Sequence, residues 1–219
     1  MGKILMGPQT LIYPMPVLLV GANVDYEPNF TVVGGCHNAN GDPPMISVSI
    51  RRQVYTYRGI TQNLTFSVNV PSTDMVRETD YCGTASGSKV NKVKICQFNV
   101  FYGKLNSAPL IEQCPVNLEC RVVHMLNLGS HSLIVGRIEE IHISESCLTD
   151  GKPDLNKIKP FTYSRAPADQ YQALGQAIAI ESIASERMAT LRCSKDIEPT
   201  DCQFPAVMLV WGAPIFSTT

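Results

Sequence analysis

Hydrophobic and polar side chains alternate in several short segments of the chain, most clearly in residues 45–51. Alternation with a period of two predicts a β-strand with one apolar face for a core and one polar face. The apolar face holds Ile46, Val48 and Ile50, and the polar face holds Ser47, Ser49 and Arg51. The polar face suits an anion such as a phosphate, and it is also typical of a half-exposed strand with a solvated basic end.

The same alternation recurs in both halves of the chain and predicts a protein built mainly of strands. Further strands are predicted at residues 16–22, 30–33, 65–70, 116–122 and 132–143. Gly136 interrupts the last of these, which predicts a bulge or a close approach by a neighbouring group. Short strands separated by turns are typical of a barrel or a sandwich, and they argue against a doubly wound nucleotide-binding fold.

Two helices are predicted among these strands. The first begins after Pro71 with Ser72 as its N-cap and ends at Gly83. The second covers residues 168–191, where apolar side chains recur at helical spacing. We expect one domain over residues 1–192, followed by an extension over residues 193–219 whose role the sequence leaves open.

The composition fits a globular protein and narrows its partners. The chain has 219 residues, of which 44% are hydrophobic, so it can bury one large core. Its net charge of −1 gives no general electrostatic case for binding nucleic acid or an anionic membrane. The 8 cysteines lack the spacing of metal ligands, so we expect reduced, mostly buried thiols, no metal site and a cytoplasmic location.

Candidate chemistry outside the first strand is less specific. No Rossmann or Walker A motif is present, so a bound phosphate needs another architecture. The loop 34–38 is a hairpin connection, or it offers backbone N–H groups to a flat polar ligand. His131 caps a turn or faces a ligand, and the sequence alone favours the turn. Ser86 and Gly87 belong to a basic turn, and a turn of this kind is usually exposed to solvent without any ligand.

A series of short motifs nevertheless recurs in a characteristic order along the chain: residues 14–21, 43–44, 47–51, 55–57, 66–71, 80–87, 114–120 and 171–175, together with His131 and Gly136. In these motifs the chain resembles the flavin reductase-like, FMN-binding split-barrel proteins, especially the flavoredoxin-type branch. The order and spacing of the motifs cover residues 14–180. The resemblance implies a mainly β fold: a six-stranded antiparallel Greek-key split barrel with a few peripheral helices, which forms a homodimer with FMN near the interface.

The resemblance also assigns roles to individual positions. Residues near the isoalloxazine would be Val33, Gly34, Gly35, Cys36, His37 and Asn38, with Asn69 and Pro71 bordering the ring or the ribityl chain. Residues near the phosphate and ribityl chain would be Ser49, Arg51, Tyr55, Thr56, Ser86, Gly87 and Lys92. His131 would be the catalytic residue, near the flavin and a nicotinamide.

The function implied is an oxidoreductase that passes electrons from NADH or NADPH through FMN to an acceptor. Two alternatives stay open: an electron carrier reduced by a protein partner, and a non-redox ligand-binding barrel. The chain departs from the family pattern where Gly34 and Gly35 stand in place of a frequent tryptophan. Asn91 likewise stands where an aspartate often precedes the lysine matched by Lys92.

Overall fold

The computed structural model describes residues 2–165 and 168–178, and most of their regular structure is β-strand. The strands are β1 (Met15–Pro16), β2 (Leu18–Val24), β3 (Glu27–Val33), β4 (Cys36–Asn40), β5 (Met45–Arg51), β6 (Thr65–Val70), β7 (Val100–Phe101), β8 (Leu110–Ile111), β9 (Val116–Asn127), β10 (His131–Ile143), β11 (Leu148–Thr149), β12 (Lys152–Pro153), β13 (Phe161–Ser164) and β14 (Gln170–Ala173). The helices are α1 (Tyr55–Asn63), α2 (Val76–Thr84), α3 (Lys92–Ile95) and α4 (Leu155–Ile158), with 3₁₀ turns at Thr73–Met75 and Glu145–Cys147.

Seven strands form one antiparallel sheet in the order β3-β2-β6-β9-β10-β5-β4. The mainly β class predicted from the sequence is therefore confirmed. The strand beyond the expected six is β4, which lies in residues expected to be loop. This strand forms because Cys36 pairs with Val48 of β5, and both side chains are buried in the core. A smaller sheet joins β1, β13 and β14.

The core lies on the apolar side of the main sheet. Its central residues are Val20, Ala22, Val33, Cys36, Ile46, Val48, Ile50, Ile60, Phe66, Val68, Cys120 and Ile134. The close approach predicted at Gly136 is confirmed, because the Phe66 ring lies where a β-carbon on Gly136 would stand. The pairing of β9 with β10 also shifts register between Val135 and Gly136.

Helix α1 is absent from the sequence-based prediction. Its sequence starts with Tyr55, Thr56 and Tyr57, residues that favour strands, yet the segment is helical because its apolar side packs on β2. Gly59 makes this packing possible, since any β-carbon there would strike the Asn23 carbonyl. The helix ends at Leu64, which has a left-handed backbone conformation.

The two predicted helices have different outcomes. The helix after Pro71 is present as α2, preceded by a 3₁₀ turn, but Ser72 makes no side-chain capping bond. The long helix is wrong at its start, because Gln170–Ala173 is a strand paired with Phe161–Ser164. There Tyr171 packs edge-on against Phe161 in the small sheet.

Other predictions concern the C-terminal region and the thiols. The described residues up to Leu174 belong to one compact unit. The rest of the predicted long helix, the predicted boundary at residue 192 and the extension 193–219 lie outside the described residues. All described cysteines are free thiols, and most are buried, as expected.

Candidate functional site

The polar side of β5 meets its neighbours in a fixed register. Arg51 lies opposite His131 on β10, and Ser49 lies opposite Leu133. On the other edge the Ser49 N–H donates to the Gly35 carbonyl at 2.7 Å, and His37 lies opposite Ser47. We call the surface formed by Gly35, His37, Ser47, Ser49, Arg51 and His131 the β5 polar face. It joins a guanidinium, hydroxyls and two imidazoles on one side of the sheet.

The Arg51 guanidinium is the principal charge on this face. It is exposed, and within residues 2–165 and 168–178 no carboxylate lies within ion-pair distance of it. In contrast, Arg58 and Arg137 are each held by a carboxylate at 2.8 and 2.7 Å, respectively. Arg51 is therefore free to bind an anion in a bidentate manner.

His131 is the first residue of β10, and its position is compatible with both roles considered from the sequence, a turn cap and a ligand contact. Its Nδ1 lies 2.9 Å from the Ser130 hydroxyl in the hairpin turn, which is the turn interpretation. Its position opposite Arg51 also puts it on the β5 polar face, where the His131 side chain is half-buried. The same imidazole can therefore be oriented by the turn while it faces a ligand.

Residues 34–38, which run into β4, cross the edge of this face with their backbone. Val33 and Cys36 point into the core, where burial raises the pKa of the Cys36 thiol to about 12. Gly34 lies against Met15, and Gly35 lies over Ser49. Of the six residues predicted for the isoalloxazine, His37 and Asn38 have exposed side chains, and the glycines can offer only backbone groups.

Helix α1 follows the end of β5 and starts close to Arg51. It has no side-chain cap and no acidic residue in its first turn, so its first N–H groups favour an anion. Tyr55 is half-buried there, and Thr56 is fully buried. The Asn29 amide donates to the Thr56 hydroxyl at 2.6 Å.

The turn that holds Ser86 and Gly87 reaches the same region. The Ser86 hydroxyl is exposed and lies 2.9 Å from that of Ser88. Gly87 packs directly on the Asn29 carboxamide, with no room for a β-carbon. Asn29 therefore joins two of the segments that the sequence assigned to the phosphate.

Asn69 and Pro71, in contrast, are committed to the interior. The Asn69 amide donates to the Leu19 carbonyl and the Ser67 hydroxyl, both at 3.0 Å. Its oxygen accepts from the Ile111 N–H at 3.0 Å and from the Asn117 amide at 2.8 Å. Asn69 is fully buried and its bonds join several strands, while Pro71 is buried beside it in the chain.

Lys92 is likewise turned inward. Its ammonium donates to the carbonyls of Phe30 at 2.9 Å and Cys82 at 2.7 Å, and only 3% of its surface is exposed. The Cys82 carbonyl belongs to the last turn of α2, so Lys92 acts as a C-terminal cap that ties this helix to β3. Burial lowers the pKa of Lys92.

Sequence reasoning missed Asn29 and Met15. Asn29 lies in a strand whose neighbours Phe30 and Thr31 are buried, and a buried asparagine within a strand is the signal that could have identified it. Met15, which belongs to β1, lies beside Gly34, and no local pattern indicates that contact.

No group of three or more histidine, cysteine, aspartate or glutamate side chains in the part of the chain that the structure describes is arranged to hold a metal ion. No helix in the described ranges is both long and apolar enough to cross a membrane.

The mainly β fold with its large antiparallel sheet is that of the flavin reductase-like split barrels. The chain belongs to the flavin reductase-like family, because the model of the flavin reductase like domain matches residues 10–166. The resemblance noted from the motifs is thus confirmed. The family supports a flavin cofactor and a redox role.

Two solved structures and one sequence relative illustrate the similarity. The flavoredoxin from Methanosarcina acetivorans is 39% identical, with a TM-score of 0.82 over 86% of this chain and 100% of that one. The flavoredoxin of Desulfovibrio vulgaris is 33% identical, with a TM-score of 0.78 over 84% and 100% of the two chains. A protein of Archaeoglobus fulgidus named as uncharacterized is 32% identical over 66% of this chain and 81% of its own length.

Proposed function

We propose that this protein is an FMN-dependent oxidoreductase that takes electrons from NADH or NADPH and passes them to an acceptor in the cytoplasm. The observation that carries the proposal is the β5 polar face, where Arg51 has no acidic partner among the described residues and lies opposite His131. A free guanidinium beside a hydroxyl and an uncapped helix start suits a phosphate monoester.

When bound, FMN supplies the hydride and electron chemistry, and the protein supplies binding, orientation and electrostatics. In this proposal Arg51 pairs with the phosphate, and the hydroxyl of Ser49 donates to the phosphate or the ribityl chain. Backbone N–H groups of residues 34–38 stabilise negative charge at the polar edge of the ring. His131 orients the nicotinamide, and its own orientation is held by Ser130.

We further propose that the protein is a homodimer with FMN near the interface. The end of the β9–β10 hairpin supports this, because Val123, Met125, Leu126 and Leu128 all expose apolar side chains there. Leu126 lies opposite Leu133, which lies opposite Ser49, so the apolar surface continues into the β5 polar face. A second copy would cover both together.

A second candidate function is an electron carrier reduced by a protein partner. The two flavoredoxins at 39% and 33% identity favour it. Gly34 and Gly35 also favour it, because neither glycine adds a side chain that would cover the face. A third possibility is a non-redox barrel that has lost its flavin, and this function predicts that the purified protein contains and binds no flavin.

The test is a titration of the purified protein with FMN, followed by anaerobic mixing with NADH and with NADPH. Binding of FMN and loss of its visible absorbance on mixing support the reductase. Binding without reduction by either nicotinamide favours the carrier, and the absence of FMN binding overturns both.

The His131→Ala variant tests the role of the imidazole. It should bind FMN as the wild type does and be reduced more slowly, by about tenfold or more, because the nicotinamide loses an orienting contact. Loss of FMN binding in this variant would instead assign His131 to the cofactor site, and an unchanged reduction rate would remove it from the mechanism.

A further inference from the structure

The carboxamide of Asn29 lies at the junction of two segments that are distant in sequence. Asn29 is 6% exposed and lies in β3. Its amide nitrogen donates to Thr56 in the first turn of α1, at 2.6 Å, and its oxygen faces the backbone of Gly87. A single side chain therefore fixes the separation between the start of α1 and the Ser86–Ser88 turn.

Both segments carry groups that suit a phosphate, and neither has an acidic residue. The first turn of α1 presents N–H groups without a side-chain cap. The turn presents the exposed hydroxyls of Ser86 and Ser88, which lie 2.9 Å apart. Thr56 is fully buried, so its hydroxyl serves the junction and not the ligand.

We propose that Asn29 is a positioning residue that makes the site selective for a phosphorylated flavin. It holds the N–H groups of α1 and the serine hydroxyls at the spacing of one phosphate monoester, while the ring of the flavin lies elsewhere. The inference rests on the proposed binding of FMN. It predicts that Asn29 affects the affinity for FMN and leaves the affinity for riboflavin, which lacks the phosphate, nearly unchanged.

A purely structural role for Asn29 makes a different prediction. A packing defect would weaken the binding of FMN and riboflavin equally, or would lower stability without affecting the preference between them. The ratio of the dissociation constants of riboflavin and FMN therefore separates the two accounts, and the melting temperature alone does not.

The experiment measures both dissociation constants for the wild type, Asn29→Ala, Gly87→Ala and the double variant. In Asn29→Ala the affinity for FMN should fall by about tenfold and that for riboflavin should stay within about twofold. Gly87→Ala should have a similar effect, because its methyl group pushes against the Asn29 carboxamide. The double variant should bind FMN no more weakly than the single variant with the lower affinity, since removal of the carboxamide makes room for the methyl group.

The matched control is Asn23→Ala. Asn23 lies on the neighbouring strand β2, and its side chain bonds the Asn106 carbonyl and the Tyr102 hydroxyl, neither of which belongs to the proposed phosphate site. This variant should lose stability and keep the ratio of the two constants. If Asn29→Ala does not fold, Asn29→Ser and the Gly87→Ala turn variant replace it with the same expected ratio.

The outcomes distinguish the inference from the proposed function. A wild type that binds neither flavin overturns the proposed function. If the wild type prefers FMN, two results overturn the inference alone. One is an Asn29 variant that loses FMN and riboflavin affinity in parallel, and the other is a double variant in which the two effects multiply.

Discussion

The β5 polar face and the interior around Asn69 hold similar side chains and use them in opposite ways. On the face, the guanidinium of Arg51 has no acidic partner among the described residues, and Ser49 is half-buried on the polar side of β5. In the interior, every polar group of Asn69 is bonded to protein, and so is the ammonium of Lys92. Family motifs contain both kinds of residue, and only the hydrogen bonding separates candidate ligand contacts from internal supports.

The comparison predicts that interior residues govern stability. Asn69→Ala should lower the free energy of unfolding by about 3 kcal/mol, because the Ile111 N–H and the Leu19 carbonyl lose buried partners. Urea denaturation measures this, and exposed Asn99→Ala should change stability by less than about 0.5 kcal/mol. The folded Asn69→Ala protein should bind FMN normally. A selective loss of FMN binding with unchanged stability would return Asn69 to the site.

Lys92→Met should lower the free energy of unfolding by about 2 kcal/mol, because the carbonyls of Phe30 and Cys82 lose their donor. Lys94→Met, at an exposed position on the same short helix, is the control and should have little effect. Equal stability of Lys92→Met and Lys94→Met would show that the buried ammonium of Lys92 does not stabilise the fold.

The same lysine predicts a pH dependence. Burial lowers the pKa of Lys92 in the folded state below the ordinary value of 10.5, so the unfolded chain binds more protons between the two values. The contribution of Lys92 to stability therefore increases as pH rises through the folded-state pKa toward 10.5. The stability difference between wild type and Lys92→Met should grow over that range, and a difference that stays flat contradicts the assignment.

On the face, Ser49→Ala should weaken FMN binding by about 1 kcal/mol, the value of one hydrogen bond, and leave unfolding unchanged. Fluorescence titration and urea denaturation of the same sample measure the two quantities. A loss of stability without a loss of affinity would make Ser49 an ordinary sheet residue.

The smallest effect concerns Cys36, at the edge of the face but directed into the core. With its pKa raised to about 12, only about one thiol in ten thousand is ionised at pH 8, so disulfide reagents should not label it in the folded protein. Mass spectrometry of labelled peptides measures this, and FMN should not alter the result. Rapid labelling at pH 8 would mean that Cys36 is open to solvent.

The sequence predicted the parts of the fold that depend on a local period. The alternation of β5 follows from one face being buried, so Ile46 and Ser49 could be assigned to opposite sides in advance. Helix α1 could not be found from propensity, because its strand-forming start is overridden by packing around Gly59. Its signal was the helical spacing of Thr56 and Ile60, which are both buried.

The candidate site divides in the same way. Arg51 and Ser49 could be proposed together because they share one strand. The junction of Asn29 with Thr56 and Gly87 could not, since it joins three distant segments through one carboxamide. Sequence motifs name positions, while the partners of each polar group depend on the whole fold.

The most direct test of the central claim is the affinity of Arg51→Ala for FMN and for riboflavin, compared with exposed Arg77→Ala as the control. The account predicts that Arg51→Ala loses roughly 2–3 kcal/mol of FMN binding, the scale of a charge-assisted hydrogen bond, while riboflavin binding and the control are unchanged. FMN binding that is as tight in Arg51→Ala as in the wild type would contradict it.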